Sequence, residues 1–420
     1  MIKMIAKIET ERSHLFDVSM LIAMRIHIQG EISEADIRSA FEKAVRSHEV
    51  LQCHIVIGED GTAYYEKNVS SDMPEGYHNN TITFETDSWE NIIRREEKHR
   101  FRLEEGEFLK AFCYETDAEG CSILFLMHHL GGDGLSLVYF IESFMKALSG
   151  EELQYREFRN IPAGDMDKKA LSDRIGPLAL LPKFYNSKWG KDEKKQAFGF
   201  EDMDRAYEMY WQDRQSVINE YVIRPQMVSH ILKRCREWNV HFTAYALAAF
   251  LRRMNRKCVT ALAVDAREDQ NRSMGNQATG ITVKYAFNYN KSFKENVIKI
   301  QKLMDDKLED DGAREFILPF MAAFEPTLVD AISLEHVGTF DSKTSKSLAG
   351  ILGYGKNKRE LSITNLTKLP IPETYGLLKL DFFSFIPPVV SNGKNIVGLS
   401  TLGDCTVMTL HRVKKTDEII

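Results

Sequence analysis

The chain has 420 residues and a mass of 48.2 kDa, enough for two or three domains of roughly 100–200 residues each. It is 43% hydrophobic and 28% charged, and its 55 Lys and Arg stand against 61 Asp and Glu, a net charge of −6. That balance excludes a general nucleic-acid binder, which needs a concentrated basic surface, and no apolar run approaches the roughly 20 residues that span a bilayer. The start, MIKMIAKIETERSHLF, lacks the apolar core of a signal peptide, so a cytoplasmic protein is expected. Six cysteines at 53, 113, 121, 235, 258 and 405 show no CxxC spacing. They are expected to be buried thiols rather than zinc ligands, with Cys113 and Cys121 facing each other across a hairpin.

No period of about 20–50 residues repeats, and the hydrophobic period changes often, as in a mixed α and β chain. Ser33-Glu34-Ala35-Asp36 resembles a capping box, and Ile37, Phe41, Ala44 and Val45 then form one apolar helix face. Leu51, Cys53, Ile55 and Ile57 alternate as in a half-buried strand, and Glu59-Asp60-Gly61 turns the chain into a return strand, Thr62–Glu66. A second helix is predicted over Trp89–Phe101. Strands Leu109–Glu115 and Ser122–His128 follow, around a turn at 117–120. The second of these strands is apolar on both faces, which predicts a central place in a sheet. An apolar helix, Leu135–Leu148, ends at Ser149-Gly150.

Residues 151–220 are more polar, and their charge run, Lys191–Lys195, reads as a solvated face. Tyr221–Arg224 suggests a strand, Met227–Trp238 a helix, and Thr243 the cap of a further helix, Ala244–Met254. Strand-like stretches recur at Val259–Val264, Gly280–Phe287, Leu361–Thr364, Lys379–Phe385, Ile396–Thr401 and Val407–His411. The expected layout is α/β, with two similar lobes, 1–175 and 176–420, each a mixed sheet with flanking helices.

One segment carries chemistry: His128-His129-Leu130-Gly131-Gly132-Asp133-Gly134, between the central strand and the apolar helix. A strand end holds a side chain rigidly, and histidine is the natural general base near neutral pH. Among 12 histidines only His129 has an aspartate four residues on. A structural reading stands beside this one: Asp133 caps the helix and His128 is a core histidine. A metal site built from His128, His129 and Asp133 is not expected, because adjacent strand residues point to opposite faces.

The heptad resembles the HHxxxDG signature of the superfamily of nonribosomal-peptide condensation domains, BAHD acyltransferases, alcohol acetyltransferases, wax-ester synthases and chloramphenicol acetyltransferase. Further segments resemble the family in order, from about residue 14 to residue 412. Arg46–Gln52 is similar to the end of its first helix, departing at Glu49 and Gln52. Phe101–Leu109 is similar to the stretch before its paired strands, and Val240–Leu251 to the helix opening its second lobe. Val264-Asp265-Ala266-Arg267 with Gly275-Asn276 resembles its D-x-R…G-N element, and Leu361-Ser362-Ile363-Thr364-Asn365 its later S-N strand. The DFGWG segment of BAHD enzymes has only a faint echo at Leu380-Asp381-Phe382-Phe383.

The resemblance implies two chloramphenicol-acetyltransferase-like lobes with a tunnel at their interface. It implies His129 as general base, Asp133 paired with Arg267 in a structural role, His128 structural, and the Gly134 amide as a candidate oxyanion donor. Ser362, Thr364 and Asn365 are candidates for the opposite wall of the tunnel. The implied function is a stand-alone, monomeric acyltransferase. It would move an acyl group from a coenzyme A or phosphopantetheine-linked carrier-protein thioester to an alcohol or amine, with no bound cofactor or metal. The partners expected are a small-molecule acceptor and an acyl or peptidyl carrier protein. The alternative is a catalytically inactive module that binds a carrier protein or synthase partner. A serine or cysteine hydrolase is disfavoured, since no G-x-S-x-G elbow is present.

Overall fold

A computed structural model describes residues 2–68, 79–116, 120–161, 178, 180–267, 271–310, 317–354, 360–390 and 393–418. The strands are β1 (Ile2–Lys7), β2 (Leu21–Gln29), β3 (Cys53–Ile57), β4 (Ala63–Asn68), β5 (Thr81–Phe84), β6 (Leu109–Thr116), β7 (Gly120–His128), β8 (Arg214–Ile223), β9 (Cys258–Asp265), β10 (Ala278–Tyr285), β11 (Leu361–Lys368), β12 (Thr374–Tyr375), β13 (Leu378–Ile386), β14 (Ile396–Leu402) and β15 (Cys405–Lys415). The α-helices are α1 (Glu34–Ser47), α2 (Trp89–Glu96), α3 (Gly134–Leu148), α4 (Leu180–Trp189), α5 (Phe200–Trp211), α6 (Pro225–Trp238), α7 (Phe242–Met254), α8 (Phe293–Leu308), α9 (Ile317–Ala322), α10 (Pro326–Val337) and α11 (Lys343–Leu352).

Two six-stranded mixed sheets result, ordered β12-β13-β2-β7-β6-β5 and β10-β9-β11-β14-β15-β8, with a small sheet β1-β4-β3 beside the first. All nine residues of β7 are buried, as its apolar faces predicted, and it pairs antiparallel with β2 and β6. The helix α3 returns from the end of β7 and packs on it through Phe125, Phe140 and Phe144, whose rings meet edge-on at 5.9 and 5.7 Å. The capping box at Ser33 and Asp36 is present, and the apolar face of α1 meets α3 through Phe41 and Phe140.

The chain's second half contributes β12 and β13 to the first sheet, where β13 pairs with β2. The lobes therefore share a strand connection, and the expected boundary at 175/176 lies outside the described residues, as does the turn at 117–119. The sequence reading differs from the structure in several places. Thr243 does not cap α7; His241 occupies the cap position, and the Thr243 hydroxyl accepts from the Asn365 amide at 3.0 Å instead. Helix α2 stops at Glu96, because Glu97 turns inward to accept the Ser216 N–H at 2.9 Å. The polar stretch 180–220, for which the sequence reading gave no element, forms α4, α5 and most of β8, and Trp189, Met203, Tyr207 and Trp211 of the two helices join the first core. All six cysteines are free, five of them buried. No helix of the described residues is long and apolar enough to cross a membrane.

Candidate active site

The signature heptad forms the turn between β7 and α3. The His128 N–H donates to the Phe108 carbonyl at 2.9 Å and the His129 N–H to the Met20 carbonyl at 3.0 Å, so the last sheet pairing fixes both residues. Their side chains diverge, as alternation along a strand requires. His128 is buried, its ring meets Phe101 at 5.8 Å, and its Nδ1 accepts the Leu130 N–H at 3.1 Å. That acceptor role needs the unprotonated nitrogen, and burial pushes the ring's pKa down to about 3, so His128 is a neutral structural residue. His129 points the other way, into a cavity of about 340 Å³ that also receives Asp133, Gly134, Ser362 and Thr364.

Gly132 holds φ +140°, and a Cβ there would meet the Ser136 Cβ at 2.5 Å and the Gly275 nitrogen at 3.0 Å. Only glycine lets this loop approach so closely to the segment between β9 and β10. The approach has a purpose in Asp133. This residue caps α3 by accepting the Ser136 N–H at 2.9 Å, and the same oxygen accepts from Arg267 at 2.7 Å. Its second oxygen accepts the Gln277 N–H at 2.9 Å. Arg267 also donates to the Ser136 hydroxyl at 3.0 Å and to Asp265 at 3.0 Å. Both sides of the pair are almost fully buried, 3% and 4% exposed, which such a pair tolerates only with hydrogen bonds like these; the Arg267 Nε alone is left without a partner. Burial works against the guanidinium charge, and Asp133 and Asp265 outweigh it, so the Arg267 pKa is raised. Asp133 is thus both helix cap and inter-lobe clip. Glu142 of α3 makes a parallel link, pairing with Lys146 at 3.1 Å and with Arg272.

A second cavity of about 300 Å³ lies behind the loop and shares Asp133, Gly134, Ala263, Ala278 and Thr364 with the first. The two cavities adjoin at Asp133 and Gly134, where the heptad meets β9, β10 and β11. Gly134 opens α3 there, and a Cβ on it would press within 3.2 Å of Leu366 and Phe385. Ser362 and Thr364, two apart on β11, line the first cavity. Asn365 lines only the second and spends its side chain on Thr243 and on the Thr367 N–H, at 2.8 Å.

The His129 ring has its Nδ1 buried with no hydrogen-bond partner. Burial lowers its pKa from the ordinary 6.5, while Asp133, its own main-chain carbonyl and Asp17 pull the other way. The ring is therefore neutral at neutral pH and ready to accept a proton. Facing it is a residue the sequence reading did not single out. The ring of His14, in the turn Arg12–His14 between β1 and β2, lies 4.3 Å from that of His129 at 46°. Nothing in the spacing connects positions 14 and 129. The available signal is a histidine in a polar break between two apolar strands. Among the described residues no group of three or more His, Cys, Asp or Glu is placed to hold a metal ion.

The family model described as Condensation domain matches residues 4–160. The first condensation domain of the calcium-dependent antibiotic synthetase superposes with a TM-score of 0.62 at 13% identity, covering 98% of this chain and 91% of that one. Polyketide synthase associated protein 5 from Mycobacterium tuberculosis gives 0.61 at 12%, over 98% and 94%. The condensation domain from the Monacolin K polyketide synthase MokA gives 0.61 at 11%, over 99% and 92%. The chain has the condensation-domain fold. Among curated relatives, the hybrid PKS-NRPS synthetases xenE of Xenoacremonium sinensis and thnA of Trichoderma harzianum are 25% and 27% identical over 183 residues. These matches take in 37% and 38% of this chain and 4% of each synthetase. The resemblance read from the heptad and its neighbours therefore holds at the level of fold and condensation-domain similarity.

Proposed function

We propose that this condensation-domain fold catalyses acyl transfer from a thioester, carried by coenzyme A or a phosphopantetheine arm, to an amine or alcohol. The carrying observation is the His129 ring, its pKa lowered by burial and its Nδ1 without a hydrogen-bond partner, in the wall of the first of two adjoining cavities between the lobes. A long thioester enters through one cavity and the acceptor through the other, so that they meet at His129. The acceptor's N–H or O–H gives its proton to the imidazole as its heteroatom bonds to the acyl carbon. The C–S bond then breaks, and the imidazolium returns the proton to the departing thiolate. The Gly134 amide, unpaired at the start of α3, supplies a donor for the carbonyl oxygen as it becomes negative. Asp133 and Arg267 touch neither substrate; they hold the loop against the second lobe.

The test is an acceptor panel. Purified chain is incubated with acetyl, octanoyl and aminoacyl thioesters of coenzyme A and N-acetylcysteamine, together with primary amines and alcohols. Free thiol and acylated acceptor are followed by mass spectrometry. Acylated acceptor formed in step with free thiol supports the proposal. Thiol without acylated acceptor indicates a hydrolase, and no consumption of any thioester favours a catalytically inactive module that binds a carrier protein or synthase partner.

A further inference from the structure

We propose that His14 is a second catalytic residue of this site, a neutral imidazole whose ring N–H holds the acyl carbonyl oxygen while His129 carries the proton. The inference deepens the acyl-transfer reading and rests on it. Three observations converge on it.

First, the two rings are in contact and line the same cavity. A carbonyl within ~3 Å of the His129 nitrogen that serves the acceptor lies within reach of the neighbouring ring. Second, the Nδ1 atoms of both rings are buried with no hydrogen-bond partner. Among the packing histidines, His128 is bonded at Nδ1 by the Leu130 N–H and His411 by the Pro387 carbonyl at 2.7 Å, and His48, whose Nδ1 is also without a partner, engages Ser143 through Nε2 at 3.0 Å. His14 and His129 share this deficit and stand side by side in the wall of one cavity.

Third, the short turn that carries His14 is held from several directions. Arg12 donates to Asp330 of α10 at 2.8 Å and to the Gly61 carbonyl at 2.7 Å. The His14 N–H donates to the Glu11 carbonyl at 2.8 Å, and the Asn160 amide donates to the Glu11 carboxyl. A turn tied this firmly positions a side chain rather than merely connecting strands. The charge logic agrees. Burial, and then the neighbouring His129 and His128 rings, hold the His14 pKa well below its ordinary value. Asp17 and Asp133 favour the proton on His129 instead. The pair therefore takes up at most one proton beyond the N–H of each neutral ring, and that proton goes to His129. In the transfer step the His14 N–H donates a hydrogen bond to the carbonyl oxygen and keeps its proton. The bonds made and broken are those already described.

The experiment compares wild type, His14→Phe and His14→Gln on the thioesters and acceptors of the panel, with thermal midpoints measured in parallel. Loss of one such donor costs about 10²–10³-fold in kcat. His14→Phe, which keeps the ring's bulk, is expected to lose about that much with little change in KM, and His14→Gln, which keeps an N–H donor, to retain most of the rate. A packing role predicts the reverse order. Wild-type kcat in His14→Phe, or His14→Phe faster than His14→Gln, overturns the role of His14 alone. No turnover in wild type overturns the acyl-transfer reading and this role with it. Nitrogen-15 histidine spectra supply a readout apart from turnover: His14 is expected to stay neutral while His129 titrates, and a His14 ring that protonates first contradicts the assignment.

Discussion

The two ends of the signature heptad treat their polar atoms in opposite ways. At Asp133 both carboxylate oxygens are filled, by Ser136, Arg267 and Gln277, in a place closed to solvent. At His129, four residues earlier, the ring stands beside His14 with Nδ1 atoms that bond to nothing. Buried polar groups without partners are costly, and each calls for an explanation. On the proposed reading the filled end is architecture and the other end chemistry, although the heptad's spacing alone presents His129 and Asp133 as equals.

Substitutions break or sharpen that contrast. The largest effect belongs to the incomplete end: replacing His129 removes a general base, a loss of about 10²–10⁴-fold in rate, with the thermal midpoint nearly unmoved. The completed end responds in stability. Arg267→Ala strands Asp133 in a buried place, and losing one partner of such a pair costs about 3–5 kcal/mol, read by denaturant unfolding. Asp133→Asn together with Arg267→Met is expected to recover part of that loss, because no unpaired charge then remains.

Acid separates the ends again. His48 and His128 are held down to about 3 and His411 to about 4, each by burial. Their folded pKa values lie below the unfolded 6.5, so their contribution to stability is present above that pH and is lost as pH falls toward 3–4. The thermal midpoint is expected to drop over that window. Transfer itself should lose rate as pH falls through the His129 value, which also lies below 6.5; a kcat/KM profile reads this. A smaller effect is predicted for Gly132→Ala, whose φ of +140° and close contacts make any side chain strained, by about 1–3 kcal/mol. Smallest is Ser362→Ala on the far wall, a single hydroxyl worth about 0.5–1.5 kcal/mol in kcat/KM.

Much of this was legible in the sequence, for identifiable reasons. The strand β7 announced its central place by being apolar on both faces, and the heptad's position after it put a histidine at a strand end. The Asp133–Arg267 pair, 134 residues apart, was legible only through the family resemblance, since no local pattern connects them. Membership of β13 in the first sheet was hidden, because chain order does not state which sheet a strand joins. Helix α10 escaped because Thr327 through Leu334 are buried on all sides, which erases the amphipathic period. By contrast, α5 carried a readable stripe, Met203, Ala206, Tyr207 and Trp211, inside a segment read only as more polar than its surroundings. His14 was hidden for the same reason as the clip: its partner is far along the chain.

The central claim is that His129 is chemistry and not architecture. It is tested most directly by the initial rate of thiol release from one accepted thioester, with wild type and His129→Ala side by side and the thermal midpoint of each recorded. The account predicts a rate lower by about 10²–10⁴-fold in a variant that melts as wild type does. Acyl transfer that survives in a folded His129→Ala would contradict it.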